Sequence, residues 1–304
     1  MTAPTPRRIY QNHHLDNTRW AHVHARDDDI VVVTAYKSGT TWTQNIVLHL
    51  IHQDLELREI SKHSPWIEMR IRPVEDMAAR VAAIETRRCL KSHMPFDGLP
   101  FSHTTRYVMP GRDPRDVFMS FWNHYSAYMP KMYADLNDTP GRVGPPLPRC
   151  PEDIRACWRD WITRGWFEGD SEGWPFWSNM GLVQSWWDQR ALPNVLMIHY
   201  DDMLADLPRE IARIAAFLGI DAGPDLIADI AEATSFKAMK ARAMALDTTA
   251  EDQFAGGAGR FIFKGTNGRW RDALDADDLA LYEAAAARVL SPDCRAWLEG
   301  RGPA

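Results

Sequence analysis

The sequence predicts an α/β fold, a parallel sheet covered by helices, on three observations. Short apolar runs suited to buried strands alternate with helical stretches. The first run, IVVV at 30–33, leads into AYKSGTTWTQ at 35–44, which reads as a strand, a tight turn and a helix start. No internal repeat or long low-complexity block interrupts the alternation.

The elements follow in chain order. The opening stretch MTAPTPRRIYQNHH lacks the apolar core of a secretory signal, and the first dozen or so residues read as a loose tail. A lead-in to residue 27 then precedes a domain over 28–304. DIVVVTA (29–35) reads as the first strand, with a helix from about Thr40 to Gln53. RRCLKSH (87–93) and TRYVMPG (105–111) are further strands. A helix is predicted over 113–128, with Asp113 as cap and Pro114 in the first turn. The segment 129–151 is rich in Pro and Gly, breaks the helical pattern and reads as a lid or substrate loop. Helices return at 152–165 and 178–190, NVLMIHY (194–200) is a buried strand, and helical patterns dominate 202–242. A long glycine-rich loop over 247–270 and a last helix over 276–289 complete the chain.

Composition narrows the function. Of 304 residues, 45% are hydrophobic and 25% charged, as in an ordinary soluble globular protein, and no run is long enough to span a bilayer. We therefore expect a cytoplasmic protein. A net charge of −6 argues against general nucleic-acid binding, but leaves room for a small anionic ligand held by local cations. Cys89, Cys150, Cys157 and Cys294 have no zinc spacing and read as free thiols. The thirteen tryptophans suit a core, and equally a pocket for flat or greasy ligands.

The turn after the first strand carries the first chemical signal. A strand feeding a tight turn and a helix exposes backbone N–H groups at the positive end of the helix dipole. Gly39 permits close approach, Thr40 and Thr41 can cap the helix, and Lys37 adds a full charge. Together they make a phosphate cradle, although a capped helix with a solvated lysine has the same residues. The triphosphate loop G-x-x-x-x-G-K-[ST] is absent: here the lysine precedes a single glycine.

Three further groups stand at strand ends or in loops. In KSHMPF (91–96), Lys91 and His93 are two apart and point the same way along an extended chain. His93 could take a proton from a substrate hydroxyl, or satisfy a local hydrogen bond. In GRDPRDVFMS (111–120), Arg112 suits bidentate phosphate recognition, or pairs with Asp113 or Asp116. Ser120 lies about two turns into the following helix. FIFKGTNGRW (261–270) adds Lys264 and Gly265 in a loop.

KSGTTW, KSHMP, GRDPRDVFMSFWNH, VLMIHYDDM, TSFKAMK and FKGTNGRW occur in that order over residues 28–271. This resembles the cytosolic-type sulfotransferase family, whose members use 3′-phosphoadenosine-5′-phosphosulfate (PAPS) and release adenosine 3′,5′-bisphosphate. The resemblance implies a single α/β domain around a central parallel sheet. It implies that Lys37, Ser38, Gly39, Thr40 and Thr41 hold the 5′-phosphosulfate and that Trp42 stacks on adenine. Arg112 and Ser120, joined by Lys264 and Gly265, would bind the 3′-phosphate. Tyr200, Thr234 and Phe236 would frame the adenosine. His93 would be the base, with Lys91 beside the sulfonate and Lys37 neutralising the leaving oxygen, without any metal. Phe96, Tyr128, Phe176 and Trp177 are candidates for the acceptor wall, or ordinary core aromatics.

The chain departs from the family pattern in places. Tyr36 stands where the family has proline, so the turn can enter differently and Tyr36 can face the acceptor. Phe263 replaces an arginine, for which Arg260 or Arg269 is the candidate substitute. The acceptor is expected to be a small molecule with a phenolic or alcoholic hydroxyl, and the oligomeric state is open. Two rival readings stay in view: a nucleotide kinase or related phosphotransferase, and a nucleotide-binding module without catalysis.

Overall fold

The computed structural model describes residues 6–56, 58–246, 250–257 and 265–302. In chain order the elements are β1 (Ile30–Val33), α1 (Thr40–His52), α2 (Ile60–His63), α3 (Val74–Ala82), β2 (Cys89–Ser92), β3 (Arg106–Gly111), α4 (Pro114–Tyr125), α5 (Pro130–Asp138), α6 (Ile154–Thr163) and α7 (Met180–Trp187). They continue with β4 (Val195–His199), α8 (Tyr200–Ala205), α9 (Leu207–Leu218), α10 (Pro224–Ala233), α11 (Phe236–Leu246), α12 (Ala250–Gln253), α13 (Ala276–Val289) and α14 (Pro292–Leu298).

The four strands pair in parallel in the order β2-β1-β3-β4, with Ile30 opposite Cys89 and Arg106, and Tyr107 opposite Val195. All four residues of β1 are buried, as a central parallel strand requires. Successive side chains point to opposite faces. Ile30 and Val32 join a core with Ile46, Leu50, Ile211 and Ile214, under α1 and α9. Val31 and Val33 join the larger core that holds Phe118, Trp158, Trp161, Trp186 and Trp297. Most of the tryptophans are thus packing residues of one face.

The chain leaves β1 for β2 on one side and then crosses to β3 on the other. In an open parallel sheet, ligands bind at such a reversal, beyond the carboxyl ends of the strands. Asp113 caps α4 by accepting from the Arg115 backbone N–H, and Pro114 occupies the first turn. Both follow the sequence expectation.

Two expectations need correction, and one stretch holds helices that were not expected. The loose tail ends before Tyr10: Asn12, His13, His14, Leu15 and Asn17 are buried, because the Asn12 and Asn17 side chains hydrogen-bond nearby backbone and Leu15 has an apolar seat. Segment 129–151 is not wholly irregular: Pro130 starts α5, whose Met132, Tyr133 and Leu136 are buried. The stretch between α1 and β2 contains α2 and α3, which no sequence pattern had signalled. No helix among the described residues is long and apolar enough to cross a membrane.

Candidate active site

A cavity of about 680 Å³ lies beyond the carboxyl ends of the strands. Lys37, Gly39, Thr40, Thr41 and Trp42 line it after β1, Lys91 and His93 at the end of β2, Arg112 after β3 and Tyr200 after β4. Residues more than a hundred positions apart are brought together by sheet order alone.

The first turn is built under backbone constraint. Lys37 adopts φ 64° and Gly39 φ 102°, both left-handed. A left-handed lysine is uncommon, and such conformations concentrate where ligands are held. Gly39 is the N-cap of α1 and gives no side-chain bond, so the expected threonine caps are absent. Thr40 instead places its Oγ1 2.6 Å from Thr34 Oγ1. The first N–H groups of α1 have no intrahelical partner and face the cavity end. Ser38 is buried behind the lining, and its Oγ has no hydrogen-bond partner among the described residues.

His93 is buried, and its Nδ1 lies 2.7 Å from the Thr34 carbonyl oxygen and 3.0 Å from Thr34 Oγ1. A carbonyl only accepts, so the neutral ring carries its proton on Nδ1 and leaves Nε2 as a lone pair. Desolvation, then the charge of Lys91, hold the imidazole well below its ordinary pKa, and Lys37 adds to the effect. Its ring meets Trp66 edge-on at 4.9 Å and lies 5.7 Å from Trp177.

Both lysines keep some accessible surface, yet their ammonium groups pay for desolvation in the cavity wall. Desolvation, then Lys91 and Arg112, lower Lys37 to about 7. Desolvation lowers Lys91 to about 8, against the pull of Glu68. Lys91 Nζ sits 4.3 Å over the Trp66 ring. Cations that repel one another in one cavity, with their pKa values depressed, are an arrangement that an anion relieves.

Arg112 does not pair with Asp113 or Asp116: among the described residues it has no ion pair, and Asp113 is bound by Arg115. Its guanidinium donates from Nε (3.1 Å) and Nη2 (2.5 Å) to Asn267 Oδ1, and from Nη1 to the Lys37 carbonyl at 3.2 Å. It also lies 4.1 Å over the Tyr200 ring. Asn267 in turn donates its amide to Asp201, and the Gly268 N–H donates to Asp116 at 2.7 Å. Burial, then Asp113, raise Asp116 to about 6. The GTNG stretch is thereby tied to the start of α4 and the start of α8.

Gly265 has φ 63°, and a Cβ there would run into the Phe236 ring. Gly265, Phe236, Ser120 and Arg269 all line the cavity. Trp42 meets Tyr200 edge-on at 5.3 Å. Thr234 is buried, donates to the Ile230 carbonyl at 2.7 Å and does not reach the cavity. Lys264, Phe263 and Arg260 lie outside the described residues.

On the other side, Tyr36, Tyr128, Phe176 and Trp177 line the cavity. The Tyr36 hydroxyl accepts from Trp161 Nε1 at 2.7 Å and donates to the Gly173 carbonyl at 3.3 Å, which pins the start of the turn. Phe96 is elsewhere: it packs on Phe101 and Trp186, on the far side of Trp177. Sequence reasoning missed Thr34, Trp66, Asn267, His14 and His124. Asn267 lay inside the FKGTNGRW motif, whereas Trp66 and His14 belong to stretches without a pattern.

A sulfotransferase domain family model matches residues 27–291. A glycolipid sulfotransferase of Mycobacterium bovis is 32% identical over 316 residues, covering 98% of this chain and 96% of that protein. Rat sulfotransferase 1A1 is 27% identical over 276 residues, covering 88% and 86%. The crystal structure of a retinol dehydratase in complex with androsterone and the inactive cofactor PAP superimposes with a TM-score of 0.69 at 23% identity, covering 91% of this chain and 87% of the other.

Proposed function

The chain belongs to the sulfotransferase family, and on that premise we propose how this cavity works. It moves a sulfonate group from PAPS to a hydroxyl of a small acceptor, a phenol or an alcohol, with His93 as base. The observation that carries this reading is the neutral His93 Nε2 facing a cavity that also holds Lys37, Lys91 and Arg112.

The residues present fit the donor. Lys37, Gly39, Thr40, Thr41 and the first N–H groups of α1 would hold the 5′-phosphosulfate, with Ser38 behind them. Arg112, Ser120 and Gly265, with Lys264 beyond the described residues, would take the 3′-phosphate. Arg269 is our candidate to supplement the charge missing at Phe263. Trp42, Tyr200 and Phe236 would bracket the adenosine. A solved relative of the same fold was crystallised with PAP, which supports this choice of ligand.

When bound, the donor supplies the sulfonate and a phosphate leaving group. His93 Nε2 takes the acceptor's hydroxyl proton as oxygen bonds to sulfur. Lys37 and the α1 N–H groups stabilise the charge left on the phosphate oxygen when its bond to sulfur breaks. Lys91 balances the sulfonate. Positioning and electrostatics carry the reaction, as in phosphoryl transfer. Tyr36, Tyr128, Phe176 and Trp177 would seat the acceptor. The mycobacterial relative is named a glycolipid sulfotransferase, and the sugar hydroxyls that glycolipids carry are alcohols.

The test is a hydroxyl-acceptor screen with labelled PAPS and a chelator present, read as sulfonate gained by the acceptor. Transfer supports the reading. PAP binding without transfer to any acceptor favours a binding module, and transfer of phosphate from a nucleotide only with magnesium favours a kinase.

A further inference from the structure

The cavity has a second polar pole that the transfer step does not use. His14 Nε2 lies 3.4 Å from the Tyr128 hydroxyl, which lies 3.1 Å from His124 Nε2. All three side chains line the cavity.

The protons of this cluster can be placed by following its hydrogen bonds outward. His13 Nε2 is 2.9 Å from the Pro175 carbonyl oxygen, which only accepts, so a neutral His13 carries its proton there. Its Nδ1 is then a bare lone pair, 2.5 Å from His14 Nδ1. His14 must carry its proton on Nδ1, and its Nε2 is bare. Desolvation keeps both rings neutral, holding His13 down at about 3 and His14 well below its ordinary value. Tyr128 has one proton for two imidazoles. If the phenol donates to His124, His14 Nε2 has no donor among the described residues. If it donates to His14, its oxygen accepts from His124 and keeps a second lone pair. In the first state a buried acceptor goes without a donor, which is costly, and in the second the Tyr128 oxygen keeps a lone pair open to a donor from the cavity.

The aromatic floor links this pole to the base. The His14 ring lies 4.3 Å from Phe176 and 5.9 Å from Trp177, and Trp177 is 5.7 Å from His93. A flat acceptor resting on these rings meets His93 at one edge and the lone pair at another. We propose that the acceptor is a rigid diol: one hydroxyl receives the sulfonate at His93, and the other donates a hydrogen bond to the His14–Tyr128 pair. This rests on the acceptor half of the function proposed above. A site built to bond a hydroxyl rejects the analogue that lacks it, here by at least about tenfold.

The experiment is a tryptophan-fluorescence titration of the full chain with a naphthol and with the naphthalenediols that add one hydroxyl, with and without PAP. At least one diol is expected to bind about tenfold or more tightly than the naphthol. Tyr128→Phe and His14→Gln, each verified as folded by thermal melting, are expected to cut that preference to about twofold. Equal binding of naphthol and every diol by the wild type overturns the proposal, as does a preference that survives both substitutions. PAP titration of the same samples separates the two readings: failure to bind PAP with the diol preference intact refutes the donor assignment and leaves the second pole standing.

Discussion

His93 Nδ1 lies 2.7 Å from the carbonyl oxygen of Thr34, the residue that ends the first strand's extended run. One backbone hydrogen bond therefore sets both the tautomer and the aim of the imidazole, and the same threonine's Oγ1 reaches Thr40 at the start of α1. The base and the anion-binding turn are fixed by a single residue between them. Desolvation and Lys91 lower the His93 pKa, so its lone pair should persist as pH falls through 6.5 and be lost only well below it. Nitrogen-15 spectra of the ring should report a neutral Nδ1–H tautomer at pH 6. An Nε2–H tautomer, or a titration midpoint near 6.5, contradicts this.

Lys37 gives a second pH dependence. Its folded value of about 7 lies below the ordinary lysine value of roughly 10.4, so the free protein binds fewer protons than the unfolded chain between those limits. This lysine's contribution to stability should therefore rise with pH across that window. A bound phosphate raises the pKa again. PAP binding should take up protons between about pH 7 and 9, and its affinity should weaken as pH rises through that range. Calorimetry in buffers of different ionisation enthalpy measures the uptake; proton release on binding would refute the assignment.

Asn267 holds Arg112 and Asp201 together through one amide. Asn267→Ala should weaken PAP binding by about 1–2 kcal/mol, roughly tenfold, since it removes bonds to a charged group and lets Asp201 compete for it. Asn267→Asp should weaken it more, because a new carboxylate would sit where the 3′-phosphate is expected. Unchanged dissociation constants in both variants would remove Asn267 from the donor site.

Gly265 combines φ 63° with contact against Phe236. Gly265→Ala should cost about 1–3 kcal/mol of local order, seen as weaker PAP binding with little change in melting temperature, because the strain falls on a surface loop. A variant that binds PAP as the wild type does would show that the glycine's shape is dispensable.

Much of this site was legible in the sequence because strand ends are legible. Lys37, Lys91, His93, Arg112 and Tyr200 each follow an apolar run, and parallel pairing gathers such positions at one edge. Thr40 was misread as a cap because its partner, Thr34, is chosen by tertiary packing. Phe96 was misplaced because an aromatic three residues beyond His93, past the end of the strand, carries no sign of which side of Trp177 it will occupy. His14 and Trp66 gave no signal at all: they join the cavity through irregular segments, where neither period nor spacing constrains direction.

The most direct test is single-turnover transfer of labelled sulfonate from PAPS to an accepted hydroxyl, in wild type and His93→Ala, with PAP affinity measured on both. The wild type should transfer, while the variant should bind PAP comparably and transfer at least about a hundredfold more slowly. Equal rates in the two proteins would contradict the assignment of the base and, with it, the account of the cavity.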